Sequence, residues 1–493
     1  MKALNHRLSY FATLLLTLLL VTSCSDDKNN HSSTSERTFV MLAVNDMHAN
    51  INQFPRFAFI VDSLRAIYPE LFLVSAGDNQ TGNPANDQFI PRGLPMIELM
   101  NELQFDLSAV GNHEFDTGQE GFALLTQKAN FDFICSNIDV PAAYSFNVKP
   151  YKIIQTDDGL KIGIASLLQL GASGLPSCLP DYTTGFTFHN PFQTATTFKG
   201  MKDSCDAVVF VNHMGYKDDV KMAKEYPSGK LDVIVGGHSH TLLDQEEVYN
   251  DILVTQAGSK LKYASLITML VKPNGMIESH MQSIPIDKTG KCNEKIQGIV
   301  DKYNNNPALH TPIAQLETPF TKKEQLGYLM CDAMRDATKV DIALVNGGGV
   351  RLSSWEMEKV TPYDVYMLDP FGNHIITINL SGKELYDFIH AGYKSSYHWI
   401  FTAGLHIDYQ VKGEKLIDVK LSTPDGKTID LNKKYSVAMN NYMISAMKFE
   451  HKDTPVNHYI PTAENLIAYL KKLKVVKSYQ NEKRITVTNQ ETK

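Results

Sequence analysis

Five short stretches of the chain combine turn-forming residues with side chains that bind divalent metals: Asp46-Met47-His48, Gly77-Asp78-Asn79, Gly111-Asn112-His113-Glu114, Asn212-His213 and Gly237-His238-Ser239-His240. Nearly every stretch follows a β-type apolar run, among them residues 39–44, 71–75, 107–110, 207–211 and 233–235. A ligand-bearing turn after successive strands gathers those side chains at one edge of a sheet. Amphipathic stretches at 57–64 and 94–103 have helical spacing and separate the first strands. Further strands are expected at 131–135, 161–166, 252–256 and 264–271. The pattern predicts a layered α/β domain with mixed sheets over residues 39–287.

The residue types point to a chemistry. Asp46 and His48 are two positions apart, so both can face one way. The carboxylate of Asp78 can bridge two cations, Asn112 offers a neutral amide oxygen, and His213, His238 and His240 offer imidazoles. Mixed nitrogen and oxygen ligands suit two Zn²⁺ or Mn²⁺ ions better than an all-oxygen Mg²⁺ site. Two such ions can hold phosphoryl oxygens and activate water, which predicts hydrolysis of a phosphate ester. His113, next to Asn112, is expected to face the substrate, with Asp116 accepting a hydrogen bond from its ring. Glu114 is expected to brace the loop.

A chain of 493 residues suits two or three domains. Residues 288–312 read as an interdomain connection containing one helix, and a second domain is expected over 313–484, with a frayed polar tail at 485–493. In that domain a strand at 342–345 leads into Asn346-Gly347-Gly348-Gly349-Val350-Arg351. Glycines there let backbone approach a ligand, and the Arg351 fork suits phosphate. The GK[ST] ending of a nucleotide-binding P-loop is missing.

The amino terminus reads as an address. A basic start, an apolar run at 11–21 and Val21-Thr22-Ser23-Cys24 resemble a bacterial lipoprotein signal, with lipidation at Cys24 and a flexible tether over 25–38. Ser25-Asp26-Asp27-Lys28 resembles the export tag of Bacteroidetes surface lipoproteins. The expected location is therefore lipid-anchored outside the inner membrane, on an outer membrane. Five cysteines remain beyond Cys24, an odd number without CxxC spacing, and no cysteine metal site is expected. A formal charge of -7 argues against a nucleic-acid polymer as partner. Nothing in the sequence sets the oligomeric state.

Residues 39–480 resemble the family of bacterial UDP-sugar hydrolase/5'-nucleotidase and animal ecto-5'-nucleotidase, on the combined DxH, GD, GNHE, H and GHxH blocks. The resemblance implies a four-layered α-β-β-α metallophosphoesterase domain followed by a smaller α+β substrate-binding domain. It assigns Asp46, His48, Asp78 and His240 to one ion, and Asp78, Asn112, His213 and His238 to the other. His113 and Asp116 match the family's catalytic dyad, and Gln256 follows its pattern of a strand and turn near the site. In the second domain it implies that Arg351 grips phosphate, that Asn346 and Gly348 belong to the binding loop, and that Phe371 and Tyr442 clamp a base. Asn373 lies in the matching PFGN block. The chain departs where the family carries a Gly-Gly-Asp run that holds ribose: here Ser445-Ala446-Met447-Lys448-Phe449 stands instead. Lys322 and Lys323 replace an upstream arginine as possible phosphate contacts, and Trp355 gives no second cation after Arg351. The implied partner is a nucleotide or related small phosphate ester. Implied activities are a 5'-nucleotidase, alternatively a 2',3'-cyclic nucleotide phosphodiesterase/3'-nucleotidase or UDP-sugar pyrophosphatase, with a non-catalytic nucleotide-binding lipoprotein as the competing class.

Overall fold

The computed structural model describes residues 35–287, 290–393, 399–447 and 449–489. The expectations for the leader, for Cys24 and for Lys448 lie outside them.

Two sheets form the N-terminal domain. The first has seven strands in the order Ile277–Pro285, Tyr263–Val271, Arg37–Val44, Phe72–Ser75, Leu107–Ala109, Asp132–Ile134 and Val148–Lys149. The second has six, ordered Glu247–Tyr249, Ile252–Thr255, Val233–Val235, Ala207–Val211, Lys161–Ala165 and Tyr151–Gln155. Arg37–Val44 runs parallel to Phe72–Ser75, which runs parallel to Leu107–Ala109. Lys161–Ala165, Ala207–Val211, Val233–Val235 and Ile252–Thr255 are likewise parallel neighbours.

Alternation along a strand explains the layering. Phe39, Met41 and Ala43 point into the core between the sheets, where they join Val209, Val211 and Val233. Val40, Leu42 and Val44 point the other way, beneath the helices Phe54–Arg65 and Leu94–Glu102. A strand buried on both faces reads as an unbroken apolar run, which is what residues 39–44 show. Phe57, Ala58, Val61 and Leu64 give helix Phe54–Arg65 one buried face. Met222 and Ala223 seat helix Tyr216–Glu225 on the second sheet. The order is helix, sheet, sheet, helix.

The smaller C-terminal domain holds a five-stranded sheet in the order Ile400–Ala403, Ile342–Asn346, Lys434–Asn440, His374–Ser381 and Val456–Pro461. Ala343 and Val345 face the helices Lys323–Thr338 and Thr462–Leu473, whereas Ile342 and Leu344 face Gly382–Gly392. Two α/β domains of the expected kinds therefore follow one another.

Three boundaries differ from expectation. The first strand begins at Arg37, inside the stretch expected as tether, because Arg37 pairs with Val271 and its guanidinium reaches Asp206 at 3.0 Å. Residues expected as connection supply the helix Glu294–Asn304, whose Ile296, Val300 and Tyr303 are buried in the N-terminal domain. The expected frayed tail supplies the strand Ile485–Asn489, parallel to His406–Lys412. Its ladder hydrogen bonds order a polar segment that a hydrophobicity pattern underrates.

Phe210 is fully buried against Phe198 and Tyr226 on the central strand of the second sheet. Phe210→Ala is expected to lower stability by about 3–5 kcal/mol and Phe210→Leu by about 1 kcal/mol, read as midpoint shifts of the N-terminal domain in urea.

Candidate metal centre and substrate cavity

Each ligand-bearing stretch leaves the carboxyl end of a parallel strand, where open α/β sheets carry their sites. Asp46, His48, Asp78, His238 and His240 all take positive φ, between 46° and 75°. This left-handed backbone is uncommon outside glycine and costs about 1–2 kcal/mol per residue. A set of amide bonds holds it in place: Asp46 N–H to the Gly77 carbonyl at 3.0 Å, His48 N–H to that of Asp78 at 3.0 Å, and Lys260 N–H to that of Asp46 at 2.8 Å. Glycine is required at 111, where a Cβ would collide with Asp78 Oδ1.

The side chains converge as two adjoining triads, Asp46/His48/His240 and Asp78/His213/His238. Two nitrogens on one tetrahedral Zn²⁺ would lie about 3.4 Å apart. Comparable separations occur here: His240 Nε2 is 3.3 Å from Asp46 Oδ1, His213 Nε2 is 3.2 Å from Asp78 Oδ2, and His48 Nε2 is 2.9 Å from His240 Nε2.

Tautomers support the fit. His213 Nδ1 donates to the Ala76 carbonyl at 2.7 Å, which leaves a lone pair on Nε2. That atom is buried without a hydrogen-bond partner. His48 Nδ1 likewise meets the Thr81 carbonyl at 3.1 Å, which turns its Nε2 lone pair inward. Asn112 Nδ2 donates to the Ser177 carbonyl at 3.2 Å, and its Oδ1 faces His238 at 2.9 Å. Inward-facing ring nitrogens and carboxylates are a donor set for cations. Electrostatics agree: burial opposes charge on His213, yet the carboxylates of Asp78 and Asp46 push it up to about 10. A potential that holds a proton so strongly favours a divalent cation in its place.

Glu114 braces this arrangement. Oε2 accepts from Asp78 N–H at 3.0 Å and Gly111 N–H at 2.7 Å, and Oε1 from Asn79 N–H at 2.8 Å. Gln256 braces the opposite side, with Nε2 donating to the Gly237 carbonyl at 2.9 Å and Oε1 accepting from Ser239 Oγ at 2.9 Å.

His113 can also be grouped with His48 and Asp78 as a metal triad. Its hydrogen bonding argues for another role. Nδ1 is 2.7 Å from Asp116 Oδ2, while Nε2 is 3.9 Å from Asp78 Oδ2. Burial works against a charge on His113, but Asp78 and Asp116 raise its pKa. The bond to Asp116 fixes the orientation of the ring, and His113 lines the cavity beside the centre.

A cavity of about 340 Å³ opens beside this centre and is lined by both domains. Asp78, Asn112, His113, Asp116, His238 and His240 form one end, and Asn346, Gly348, Arg351, Phe371, Asn373 and Tyr442 the other. Phe371 stacks on His113 with ring centres 5.9 Å apart and lies 5.5 Å from the Arg351 guanidinium. Arg351 Nη2 reaches to 3.5 Å from His48 Nε2. Asn373 Oδ1 is buried in the wall without a hydrogen-bond partner. Lys323 is half-buried near Arg351, whereas Lys322 is exposed. Trp355 is fully buried, and its backbone pairs with that of Phe320.

Sequence reasoning missed the loop after Lys161–Ala165, which contributes Gln169, Ser177, Cys178 and Leu179 to the cavity. Its position after a parallel strand was the available signal. It also missed Arg92, whose Nη2 donates to the Pro370 carbonyl at 2.9 Å and so ties the Phe371 turn to the N-terminal domain. Among the described residues the five cysteines are free.

Paired metal-ligand triads beside a histidine–carboxylate dyad define a dimetal hydrolase centre. Residues 39–242 match the family model of the calcineurin-like phosphoesterase, and residues 308–449 that of the 5'-nucleotidase C-terminal domain. The chain is thus a metallophosphoesterase-type hydrolase with a 5'-nucleotidase C-terminal domain, related to the UshA/5'-nucleotidase family. It is 25% identical over 481 residues to the trifunctional nucleotide phosphoesterase protein YfkN of Bacillus subtilis, covering 85% of this chain but only 32% of that protein. Protein UshA of Escherichia coli is 24% identical over 532 residues, 93% of this chain and 95% of its own. In fold it is similar to the 5'-nucleotidase precursor from Thermus thermophilus, with a TM-score of 0.79 and 24% identity over 92% of this chain and 100% of that one.

Glu114→Ala removes the acceptor of three amide N–H groups behind the ligand loops. It is expected to weaken metal binding about 10–100-fold, measured by competition with a chelator. Arg92→Ala is expected to raise KM several-fold with a smaller change in kcat, and Arg92→Lys to recover part of the loss, in steady-state kinetics.

Proposed function

We propose that the protein releases phosphate from nucleoside 5'-monophosphates. The observation that carries this reading is the single cavity with Asp78, His113 and His240 at one end and Phe371, Asn373 and Tyr442 at the other. Such a space offers one wall for a phosphoryl group and another for a flat, apolar base. Aromatic rings favour a base without selecting one, and the open Asn373 oxygen accepts a hydrogen bond from a base amine or ribose hydroxyl.

Asp46, His48, Asp78 and His240 would hold one Zn²⁺ or Mn²⁺, and Asp78, Asn112, His213 and His238 the other. Bound there, the pair supplies charge neutralisation for the phosphoryl group and a nucleophilic water. The chain's own groups do the rest. Arg351 binds phosphoryl oxygens through its fork and aligns the ester with the centre. His113, held at Nδ1 by Asp116, presents its Nε2 proton to the transferring group or to the leaving oxygen, which would otherwise depart as an alkoxide. Phe371 covers one face of that ring and limits water around it.

The lipoprotein-like leader supports a place outside the inner membrane, with Cys24 as the anchor. There the enzyme would convert charged nucleotides into neutral nucleosides and phosphate for uptake.

A phosphate-release panel with 5'-AMP, 3'-AMP, 2',3'-cyclic AMP, UDP-glucose and NAD, with Mn²⁺ or Zn²⁺ added, tests this reading. The 5'-monophosphate is expected to have the highest kcat/KM; preference for another substrate overturns it. His113→Ala is expected to lower kcat roughly 10²–10⁴-fold while metal content, measured by elemental analysis, stays the same.

A further inference from the structure

Thr462 holds both ends of the turn that carries Phe371 and Asn373. It lies where the strand Val456–Pro461 passes into the helix Thr462–Leu473. Its N–H donates to the Asn373 carbonyl at 2.8 Å. Its hydroxyl lies 2.5 Å from Asp369 Oδ2 and 3.2 Å from the same Asn373 carbonyl. We propose that Asp369 is a positioning residue for the organic part of the substrate, acting through the Thr462 hydroxyl on the turn that bears Phe371 and Asn373. This rests on the nucleotidase reading and deepens it, by assigning what sets the grip of the second domain on the nucleoside.

A hydroxyl has one proton to give, and here two acceptors compete for it. When Asp369 is ionised its carboxylate takes that proton, because a charged acceptor makes the stronger and shorter bond. The Asn373 carbonyl then keeps only the Thr462 N–H. When Asp369 is protonated, its own O–H donates to Thr462 Oγ1, and the hydroxyl proton turns to the Asn373 carbonyl. The turn is then closed by two hydrogen bonds on that carbonyl instead of one. Phe371 and Asn373 line the substrate cavity, so the second bond restrains both before substrate arrives.

The surroundings of Asp369 let it titrate in the neutral range. It is buried, and it shares a void of about 10 Å³ with Met330, Met334, Val345, Gly349 and Asn440, none of them ionisable. Burial pushes the carboxyl up to about 7, against the Thr462 hydrogen bond, and Glu464 on the Thr462 helix adds to the rise. Glu464 itself accepts from Tyr366 Oη at 3.3 Å, and Arg92 of the N-terminal domain is engaged with the Pro370 carbonyl at 2.9 Å. The protonated form, present below about 7, holds the turn more tightly, and that hold is lost as pH rises through this value.

Adenosine binding, measured by calorimetry on the metal-loaded protein from about pH 6 to about pH 8, tests this on either side of the Asp369 titration. Adenosine lacks the phosphate, so it reads the organic end of the cavity alone. Wild-type affinity is expected to fall about fivefold across that range, the worth of one hydrogen bond. Asp369→Asn, whose amide donates to Thr462 as the protonated acid does, is expected to keep the tighter affinity throughout. Thr462→Val, which retains the backbone bond and loses the hydroxyl, is expected to keep the weaker one. A flat wild-type profile, or equal weakening by both variants at every pH, overturns the proposal. If adenosine binds at no pH and 5'-AMP is not hydrolysed, the nucleotidase reading fails. Amide hydrogen exchange over residues 370–374, corrected for the intrinsic rate, then decides the role of Asp369: greater protection in Asp369→Asn than in wild type at about pH 8 supports it, and equal protection overturns it.

Discussion

The carboxylate of Asp78 is the constraint on which the rest of the centre depends. It lies 3.2 Å from His213 Nε2 within its own triad and 3.9 Å from His113 Nε2, and it also groups with His48 of the other triad, their ligand atoms within 4.8 Å. Two cations held close together repel, and a shared carboxylate offsets that repulsion only if it is fixed between them. The loop around it does the fixing. Gly77 takes a φ of 86°, Asp78 follows in the left-handed region, and Glu114 accepts the Asp78 amide proton at 3.0 Å. His113 donates its own backbone N–H to Asp78 Oδ1 at 2.8 Å, so the Asp78 carboxylate and the His113–Asp116 pair are positioned by one contact.

Strain is concentrated at the same place. Five of the seven proposed ligands sit at positive φ. Such backbone survives where surrounding bonds over-determine it, and here parallel strands deliver the loops while amide bonds lock one loop to the next. Rigidity of this kind suits a centre that must bind ions in a set geometry before substrate arrives. The second domain adds Arg351, the Phe371 turn held by Arg92, and the far wall of the cavity.

Much of the first domain was legible because its signals are local. An apolar run, a glycine exit and a ligand occupy a few consecutive residues, as in the approach of residues 71–75 to Asp78, and the sheet brings the loops together without further information. Arg351, Phe371, Asn373 and Tyr442 were legible through resemblance, and they line one cavity. Other features depend on contacts distant in sequence. Arg92 meets Pro370 across 278 positions, a contact made only when the domains adjoin. Ser177 orients Asn112 through its backbone carbonyl, which no side-chain motif encodes. The strand Ile485–Asn489 exists through pairing with His406–Lys412, and a polar sequence gives no hydrophobic signal of that.

The most direct test is anomalous diffraction from crystals of the full chain equilibrated with Mn²⁺. Two peaks are predicted, one against Asp46, His48 and His240, the other against Asn112, His213 and His238, with the Asp78 carboxylate between them. A single peak, or a peak bound to His113 with one triad empty, would contradict the shared-carboxylate centre.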